Sequence, residues 1–533
     1  RLDNRAELCR RLAVQETPQL PDSLLVAAAY QHWGLDCVQH LYGDWVVALW
    51  DGVQQRLLLA RDATGSTGLY WCQRGPALIF ATGIGGVLEH PDVAAVPDVR
   101  FVANLLTVFD DPEYTTATAY QDIHTLLPGH YLLADARGIR VQTWWQPQQL
   151  APLELPNITE YYDAFLAIYR DAVAQRLRVA RGGGVAAMLS GGLDSGSVVA
   201  LAAPQLAARG QRLRAYTHAP LYAPTGAGKR RIGDELPLAQ QTADFVGNVD
   251  LRPLRSAHIS VTAGIRGMLA IQRQPGHAAG NHYWLQDIWQ TARDEGIKVL
   301  LSGQNGNATI SYTGTGNLWP LLRAGRFVEV ATSLRAEQLG AAIHRRLLRP
   351  LGRPLWQLQH RWRRPPTLAA LTQQSAIHPN LIKEVGLLAC MHRAGFDPCQ
   401  AAIPSQQALA RFRLGLHLNG QIHAAWMAAG AATGLDIRDP TAARQLVEFC
   451  WRLPDTVFWG RGRQRALIRI GMAQALPPDV LQCDRKGLQS ADIGLRVQQD
   501  AAAVRAILRQ LGASVWARRW LDLSRMEQLL ADG

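Results

Sequence analysis

The residues best suited to chemistry lie in one short turn, Ser190-Gly-Gly-Leu-Asp-Ser195. Its two glycines let the backbone approach a ligand closely, and its two serines place hydroxyl groups at the start of a predicted helix. Free N–H groups and the positive end of the helix dipole favour an anion there. The carboxylate of Asp194 suits such a site when a divalent cation lies between it and a phosphate. The turn therefore predicts a site for a magnesium-bound polyphosphate, and a strand-to-helix turn without a ligand is the alternative.

Predicted strands and helices alternate on both sides of this turn. The strands are Val185–Leu189, Leu213–His218, Val249–Leu254 and Lys298–Leu301, and the helices are Thr159–Leu177, Ser195–Arg209 with Gly210 as its C-cap, a segment after Glu235 that ends at Phe245, and Tyr283–Glu295. Such alternation predicts a parallel sheet, with ligands beyond the carboxyl ends of its strands. We therefore expect the turn, His218 and the loop of residues 302–307 along one edge. Beyond Gly314 the pattern predicts helices to the C-terminus.

Residues 1–150 have a different pattern, typical of short strands in a mostly β domain. Leu41–Asp51 and Arg56–Asp62 flank a turn at Asp51-Gly52, which predicts a hairpin. Pro152 and Pro156 mark a linker. We thus expect two domains, residues 1–150 and 151–533.

Composition narrows the functional classes. The protein has 533 residues, 48% of them apolar, which indicates globular domains, and it contains no long uncharged apolar run, so we expect no membrane span. Seven scattered cysteines without C-x-x-C spacing argue against zinc and disulfides and favour the cytoplasm. The net charge of +12 accompanies no nucleic-acid-binding motif, so we expect no nucleic acid. The Arg- and Trp-rich residues 345–364 are either a solvated connector or a docking surface for a peptide or protein.

The turn Ser190–Ser195 resembles the pyrophosphate-binding loop of the ATP pyrophosphatases, in the form found in asparagine synthetases. The resemblance extends over most of the sequence and includes Gly43-Asp-Trp45, Leu59-Ala-Arg-Asp62, Leu127-Pro-Gly-His130, Leu446-Val-Glu-Phe449 and Lys486-Gly487. It implies an α/β fold with two domains. The first is a glutaminase-like, Ntn-type αββα domain that is incomplete at its start. The second is a parallel-sheet, adenine-nucleotide α-hydrolase-like synthetase domain with a helical lobe.

The same resemblance implies ATP and Mg²⁺ as cofactors and assigns site residues. Contacts to ATP and pyrophosphate would come from Leu189, Ser190, Gly191, Gly192, Leu193, Asp194, Ser195, His218, Ser302, Gly303 and Lys486. Asp194 and Lys486 would be catalytic, because a cation at Lys486 neutralises the charge of adenylate and leaving pyrophosphate. Asp194 and Asp234 would hold the metal, although Asp234 suits a helix cap equally well. Gln304, Asn305 and Asn307 would contact the substrate, in a loop that is acidic in the synthetases.

Three departures from the synthetases shape the functional hypothesis. Residue 1 is Arg where the amidotransferases carry their cysteine nucleophile, so we expect no glutamine hydrolysis by the sequence as written. The loop of residues 302–307 has amides in place of acids, and Ala443 stands where an acid is usual. The sequence resembles the lasso-peptide cyclases in these departures and in three further segments, Arg1-Leu-Asp-Asn-Arg5, Arg438-Asp-Pro-Thr441 and Lys486-Gly-Leu-Gln489.

The cyclase resemblance implies a specific reaction. The enzyme would adenylate the carboxylate of an Asp or Glu residue within a precursor peptide, and the N-terminal amine of that peptide would attack to close a macrolactam. A leader protease and a precursor-recognition protein would be its partners. An asparagine synthetase or related amidotransferase is the first alternative, and a catalytically dead scaffold is the second.

Overall fold

The computed structural model describes most of the protein. It covers residues 1–314 except 18, 110, 180–181, 225–230 and 277, some positions between 318 and 331, and residues 368–394, 421–460 and 463–532. The Arg- and Trp-rich residues 345–364 lie outside the described residues, so both predictions for that stretch stay predictions.

Two antiparallel sheets form the N-terminal part. The first has the order β1-β2-β6-β7 and the second β4-β3-β5. Their strands are β1 (Val46–Asp51), β2 (Arg56–Arg61), β3 (Tyr70–Arg74), β4 (Ala77–Ala81), β5 (His124–Thr125), β6 (His130–Asp135) and β7 (Gly138–Thr143). The predicted hairpin is confirmed: Asp51 pairs with Arg56, and Asp51 Oδ1 accepts the N–H groups of Val53 and Gln54 in the turn.

Helices take a larger share of this part than predicted. They are α1 (Arg5–Arg11), α2 (Asp22–Trp33), α3 (Cys37–His40), α4 (Ile84–Leu88) and α5 (Val99–Thr107). A helix around Cys9 is confirmed by α1, but the prediction of a mostly β segment is wrong for residues 22–40, where buried residues such as Leu25 and Ala29 recur on a helical face that packs onto the first sheet.

A five-stranded, wholly parallel sheet follows, as the sequence predicted. Its order is β11-β9-β8-β12-β13. The elements are α6 (Ile158–Arg176), β8 (Gly184–Met188), α7 (Leu193–Ala207), β9 (Leu213–His218), β10 (Arg231–Ile232), α8 (Leu236–Val246), β11 (Val249–Leu254), α9 (Val261–Gln272), α10 (His282–Asp294), β12 (Ile297–Leu301) and β13 (Asp436–Arg438).

Most predicted boundaries agree with these elements to within two residues. Two strands coincide with their predictions, β9 and β11, and Pro253 is tolerated in β11 because that strand lies at the sheet edge. Helix α7 begins earlier than predicted, at Leu193, and its C-cap is Ala208 rather than Gly210.

Helices cover both faces of the parallel sheet. Val185 and Ala187 of β8 pack into one hydrophobic core with α6 and α7, whereas Ala186 packs into a second core with α9 and α10. In β12, Val299 packs into the first of these cores and Leu300 into the second. Alternate residues of a strand point to opposite faces, so a strand buried on both faces reads as a continuous apolar run.

The C-terminal part is mainly helical. Its described helices are α11 (Leu368–Gln374), α12 (Pro379–Glu384), α13 (Leu387–Ala394), α14 (Gln421–Thr433), α15 (Arg444–Arg452), α16 (Asp455–Phe458), α17 (Ala466–Gly471), α18 (Pro478–Gln482), α19 (Ile493–Gln499), α20 (Ala501–Ala513), α21 (Val515–Trp520) and α22 (Leu523–Asp532). The prediction of helices alone is wrong, because β13 completes the parallel sheet and three two-residue strands also occur: β14 (Trp459–Gly460), β15 (Arg463–Gln464) and β16 (Lys486–Gly487). Strands of two or three residues are too short for a periodicity to reveal them.

The described residues contain neither a membrane-spanning helix nor a disulfide bond. No described helix is both long and apolar enough to cross a membrane. The described cysteines form no disulfide bond. The predicted division at residue 150 stays a prediction.

A buried arginine ties the two parts together. Arg176, at the end of α6, is 1% exposed and pairs with Asp3 and Asp44 at 3.3 and 3.2 Å. Burial opposes ionisation of Asp44, but the guanidinium groups of Arg176 and Arg1 hold the pKa of its carboxyl well below its usual range. The Arg176 carbonyl also accepts a 2.7 Å hydrogen bond from Arg438 Nη1, at the end of β13. The parallel sheet is therefore anchored to the N-terminal segment through charge pairs.

We expect Arg176→Ala to lower the free energy of unfolding by about 3 kcal/mol, because it removes one of the two arginines that pair with the carboxylates of Asp3 and Asp44. Arg170→Ala, an exposed change on the same helix, should stay within about 0.5 kcal/mol of wild type. Urea unfolding followed by circular dichroism measures both variants. Equal midpoints for the two would contradict the anchoring role.

Candidate active site

The candidate site lies where the strand order of the parallel sheet reverses. From β8 the sheet extends to β9 and β11 on one side, and β12 and β13 lie on the other. Ligands of such sheets bind beyond the carboxyl ends of the strands at this switch point. The turn of residues 189–195 follows β8, and the loop of residues 302–307 follows β12. The two predicted loops are therefore direct neighbours.

Side chains and neighbouring groups hold the first turn in shape. Ser195 Oγ accepts the N–H of Ser190 at 2.9 Å, and the two serine hydroxyls are 2.9 Å apart. The N–H of Gly192 donates to Ser190 Oγ at 3.2 Å, and that of Gly191 donates to the Glu235 carboxyl. The expectation that the turn's own N–H groups are free is therefore wrong for these residues. The first N–H groups of α7, from Leu193 onward, lack intrahelical acceptors and remain suited to an anion.

Leu189 and His218 lie at the adjacent strand ends. Leu189 is buried, and its N–H donates to the Tyr216 carbonyl at 2.9 Å. His218 stacks on Trp284 with ring centroids 5.2 Å apart, and its Nε2 lies 3.3 Å from the Tyr283 hydroxyl. Burial lowers the pKa of His218 to about 4, so the imidazole is neutral at physiological pH. His218 can offer a neutral ring face and a hydrogen bond, but not a positive charge for a phosphate.

Asp194 stands at the contact between the two loops. A Cβ at Gly303 would lie 2.8 Å from the carbonyl carbon of Asp194, and a Cβ at Gly306 would overlap its Cγ, so only glycine fits at these two positions. Oδ1 of Asp194 is buried and has no hydrogen-bond partner among the described residues. Burial raises the pKa of Asp194 to about 6; the nearby Asp439 adds to the rise, and the Ser311 hydroxyl opposes it.

The loop of residues 302–307 is fixed by the residues that follow β13. Ser302 donates its N–H to the Arg438 carbonyl at 2.8 Å, and Asn305 donates its N–H to Asp439 Oδ2 at 2.7 Å. Asp439 also accepts from the N–H and hydroxyl of Thr441. Asp439 was not among the predicted site residues, because its role depends on a three-residue strand that the sequence pattern does not reveal.

A second unpredicted residue, Arg465, supplies positive charge. Its guanidinium lowers the pKa of Asp194, and its Nη2 donates to Asn307 Oδ1 at 3.4 Å. Its backbone has φ +60°, a left-handed conformation that costs free energy in a residue other than glycine and that clusters at functional sites. Positive φ has no signature in the amino-acid sequence.

Glu235, rather than Asp234, connects the turn to Lys486. Asp234 Oδ1 accepts the N–H of Leu236 at 3.0 Å at the start of α8, as a helix-capping residue would, and its role as a metal ligand stays a prediction. Burial raises the pKa of the Glu235 carboxyl, which accepts an N–H of the turn. A Cβ at Gly487 would overlap Glu235 Cδ, and β16 pairs in parallel with β10. Lys486, whose side chain is exposed, therefore precedes a glycine that packs against Glu235, the residue beside the turn.

A cavity of about 860 Å³ opens beside the second loop. Gln304 and Asn305 lie in its wall, together with residues of α5, α9, α10 and α14. The wall includes Phe101, Asn104, Leu105, Val108, Met268, Gln272, Gln274, Asn281, Trp284, Leu285, Ile422, His423, Trp426 and Gln489. Among the described lining residues none is Lys or Arg, and the carboxylate of Asp111 is already paired with Arg100 at 2.6 Å.

The acidic residues of the site suit a metal ion that is coordinated mainly by the phosphates of a bound ligand. Asp194 offers one buried carboxylate oxygen, and no group of three His, Cys, Asp or Glu residues able to hold a metal occurs in the described part of the protein. Mg²⁺ commonly binds through one or two carboxylates plus substrate phosphates and water. The residues present therefore fit a magnesium–polyphosphate and not a preformed, all-protein metal site.

Comparison with protein families gives two matches. A family described as asparagine synthase matches residues 165–533, and a glutamine amidotransferase domain matches residues 4–145. These matches agree with the α/β fold, with its N-terminal amidotransferase-type domain and C-terminal parallel-sheet domain.

Individual relatives are more distant. A glutamine-hydrolyzing asparagine synthetase 3 of Bacillus subtilis is 29% identical over 187 residues, or 34% of this chain and 29% of that protein. The amidase chry2 of Gibberella zeae is 29% identical over 42% of this chain and 33% of its own length. A putative glutamine-hydrolyzing asparagine synthetase of Mycobacterium bovis is 29% identical over 34% of this chain and 28% of its own length. The matched region thus spans about a third or less of the length of these curated relatives.

We expect the raised pKa of Asp194 to appear in the stability of the ligand-free protein. The folded pKa of about 6 exceeds the unfolded value of 3.8, so the folded state binds the extra proton and loses stability as pH rises between these values. Asp194→Asn removes this titration. Relative to wild type, the variant should gain roughly 2 kcal/mol between about pH 4 and about pH 7.

Urea unfolding at several pH values measures the difference. A stability difference between wild type and Asp194→Asn that does not change with pH would contradict the raised pKa of this buried carboxyl. Asp244→Asn, an exposed change on α8, should show no such trend.

Proposed function

We propose, on the premise that this chain belongs to the asparagine synthase family, that it is an ATP-dependent ligase that forms an amide bond within a peptide. It adenylates the carboxylate of an Asp or Glu residue, and the N-terminal amine of the same peptide closes a macrolactam. The observation that carries the proposal is the contact between the two loops at the switch point, with the Asp194 carboxylate between them.

The proposed first step uses the turn and the residues around it. The substrate carboxylate attacks the α-phosphorus of ATP, the α–β phosphoanhydride bond breaks, and pyrophosphate leaves. Helix α7 directs the N–H groups of its first turn toward negative charge. Lys486 and Arg465 supply cations for charge that grows as pyrophosphate departs. Asp194 would hold Mg²⁺ through Oδ1, and the metal would supply neutralisation of the phosphate oxygens.

The second step forms the amide. The amine nitrogen attacks the acyl carbon, the bond from that carbon to the AMP oxygen breaks, and the amine loses a proton. Gln304 and Asn305 lie in the cavity wall on the same loop that contacts Asp194. The acceptor would therefore enter from the cavity.

The cavity favours a peptide over free aspartate. Free aspartate carries an ammonium and two carboxylates, and burying such charges without partners is costly in free energy. The described wall offers amides and apolar groups instead of guanidinium or ammonium groups. A volume of about 860 Å³ also exceeds what a single small amino acid fills. A leader protease and a precursor-recognition protein would be the partners of such an enzyme.

The relatives favour a second candidate, an asparagine synthetase that uses ammonia or glutamine, because two of those described carry that name. The two proposals predict different acceptors. If the protein is an asparagine synthetase, aspartate and ammonia would yield asparagine and AMP. If it is a peptide cyclase, neither aspartate nor ammonia would react.

The proposal is tested with purified protein, ATP, Mg²⁺ and two sets of substrates. One set contains aspartate with ammonia or glutamine. The other is a pool of synthetic peptides with a free N-terminus and one Asp or Glu at varied distance from it. Formation of AMP with a peptide product lighter by one water supports the cyclase, and asparagine formation supports the alternative. Absence of ATP–pyrophosphate exchange with every substrate would support a dead scaffold.

We expect Lys486→Gln to reduce ATP–pyrophosphate exchange by roughly 100-fold or more, because it removes a cation that stabilises charge developing on the leaving group. Arg485→Gln changes the neighbouring exposed charge and should stay within about threefold of wild type. Radiolabelled pyrophosphate incorporation into ATP measures both. Equal losses in the two variants would contradict the role assigned to Lys486.

A further inference from the structure

Two residues that line the cavity each carry a buried side-chain atom without a hydrogen-bond partner in the described part of the protein. Asn104 Oδ1, on α5 of the N-terminal part, and Gln272 Nε2, at the end of α9, are buried and make no hydrogen bond to the described residues. Buried polar atoms without a hydrogen bond are rare in folded proteins, because each forfeits its hydration without compensation, so they require an explanation. Here both atoms belong to residues that line the same cavity.

The rest of the wall is nearly neutral. Aromatic and aliphatic side chains alternate with amides, and the few ionisable groups already have partners. Arg100 pairs with Asp111, and His423 lies 3.8 Å from Asp439 and 3.4 Å from the Thr64 carbonyl. A charged ligand would find no free counter-charge among these residues, whereas an apolar segment with backbone amides would find apolar surface and the amide side chains of Asn104 and Gln272, whose unpartnered atoms are covered in the ligand-free protein.

We propose that this cavity binds an uncharged, apolar segment of a peptide, and that the side chains of Asn104 and Gln272 turn toward it, so that the Asn104 carbonyl accepts a backbone N–H and the Gln272 amide donates to a backbone carbonyl. One acceptor and one donor are what a peptide group requires of its surroundings. The inference rests on the proposed function and adds to it the chemistry of the bound segment and a binding role for α5. The N-terminal part then forms one wall of the substrate site.

The location joins this segment to the reaction. Gln304 and Asn305 are part of the same wall, and their loop packs on Asp194 through Gly303 and Gly306. A segment in the cavity would therefore hold the rest of the peptide beside the switch-point crevice.

Fluorescence anisotropy of two fluorescein-labelled synthetic peptides, measured without ATP on the full-length protein, tests the proposal. The first is Gly-Val-Leu-Gly-Phe-Leu-Gly-amide with fluorescein on its N-terminal nitrogen, and the second has Asp or Lys in place of its apolar residues. The apolar peptide should bind at least about ten-fold more tightly than the charged peptide.

Two matched pairs of variants locate the binding. Leu105→Glu, at a partly exposed position of the cavity wall, should weaken binding of the apolar peptide by about ten-fold or more, whereas Leu24→Glu, at an exposed position of α2, should not. Gln272→Glu should weaken binding similarly, and the exposed Gln211→Glu should leave it nearly unchanged. Because Leu105 is 37% exposed, its variant is expected to remain folded even if the Gln272 variant does not.

Equal binding of the two peptides, no binding of the apolar peptide at about 1 mM, or equal losses in Leu105→Glu and Leu24→Glu would overturn the proposal. Exchange of pyrophosphate into ATP is measured separately, on the same protein preparations, with the pool of peptides that contain one Asp or Glu. If exchange is absent while the apolar peptide binds as expected, the proposed reaction is refuted and the inferred ligand of the cavity stands. If exchange occurs while the expected binding is absent, only the inferred ligand is refuted.

Discussion

The buried carboxylate of Asp194 is the constraint on which the site depends. An ionised carboxylate loses hydration when it is buried, and Asp194 Oδ1 gains no hydrogen bond from the described residues in return. The raised pKa expresses this cost. A cation that arrives with a polyphosphate would relieve it, since it supplies the missing partner. The ionised form of Asp194 is thus unfavourable in the free protein and would be favourable in a complex with a cation and a polyphosphate.

The neighbours of Asp194 maintain this condition. Gly303 and Gly306 let the second loop lie against the carboxylate without side chains between them. Asp439 raises the pKa of Asp194, and Arg465 acts in the opposite direction. The balance of these charges leaves the carboxylate able to ionise when a cation is present. The neutral loop adds no further acid that would compete for that cation.

Charge pairs and a hydrogen bond join the two parts of the protein. The pairs of Arg176 with Asp3 and Asp44 anchor the parallel sheet to the N-terminal segment. Trp145 Nε1 donates to Glu448 Oε1 at 2.8 Å, and α5 lines the same cavity as α9 and α14. An N-terminal part held in this way can serve as a wall of the substrate site, whatever its own chemistry. Under the proposed function, this would be the structural role of the N-terminal part.

The sequence by itself determined the parallel sheet and the turn of residues 190–195. Long apolar runs and strand–helix alternation encode local structure, and the glycines and serines of the turn encode a backbone that admits an anion. It also placed His218 and residues 302–307 on one edge, because parallel strands bring their carboxyl ends together. Only the tertiary structure decided which acid does what. Asp234 caps its helix and Glu235 reaches the turn, although the two are adjacent and alike in sequence. Asp439, Arg465 and the cavity wall come from segments far apart in the sequence, and no local pattern records a contact that forms only when the protein is folded.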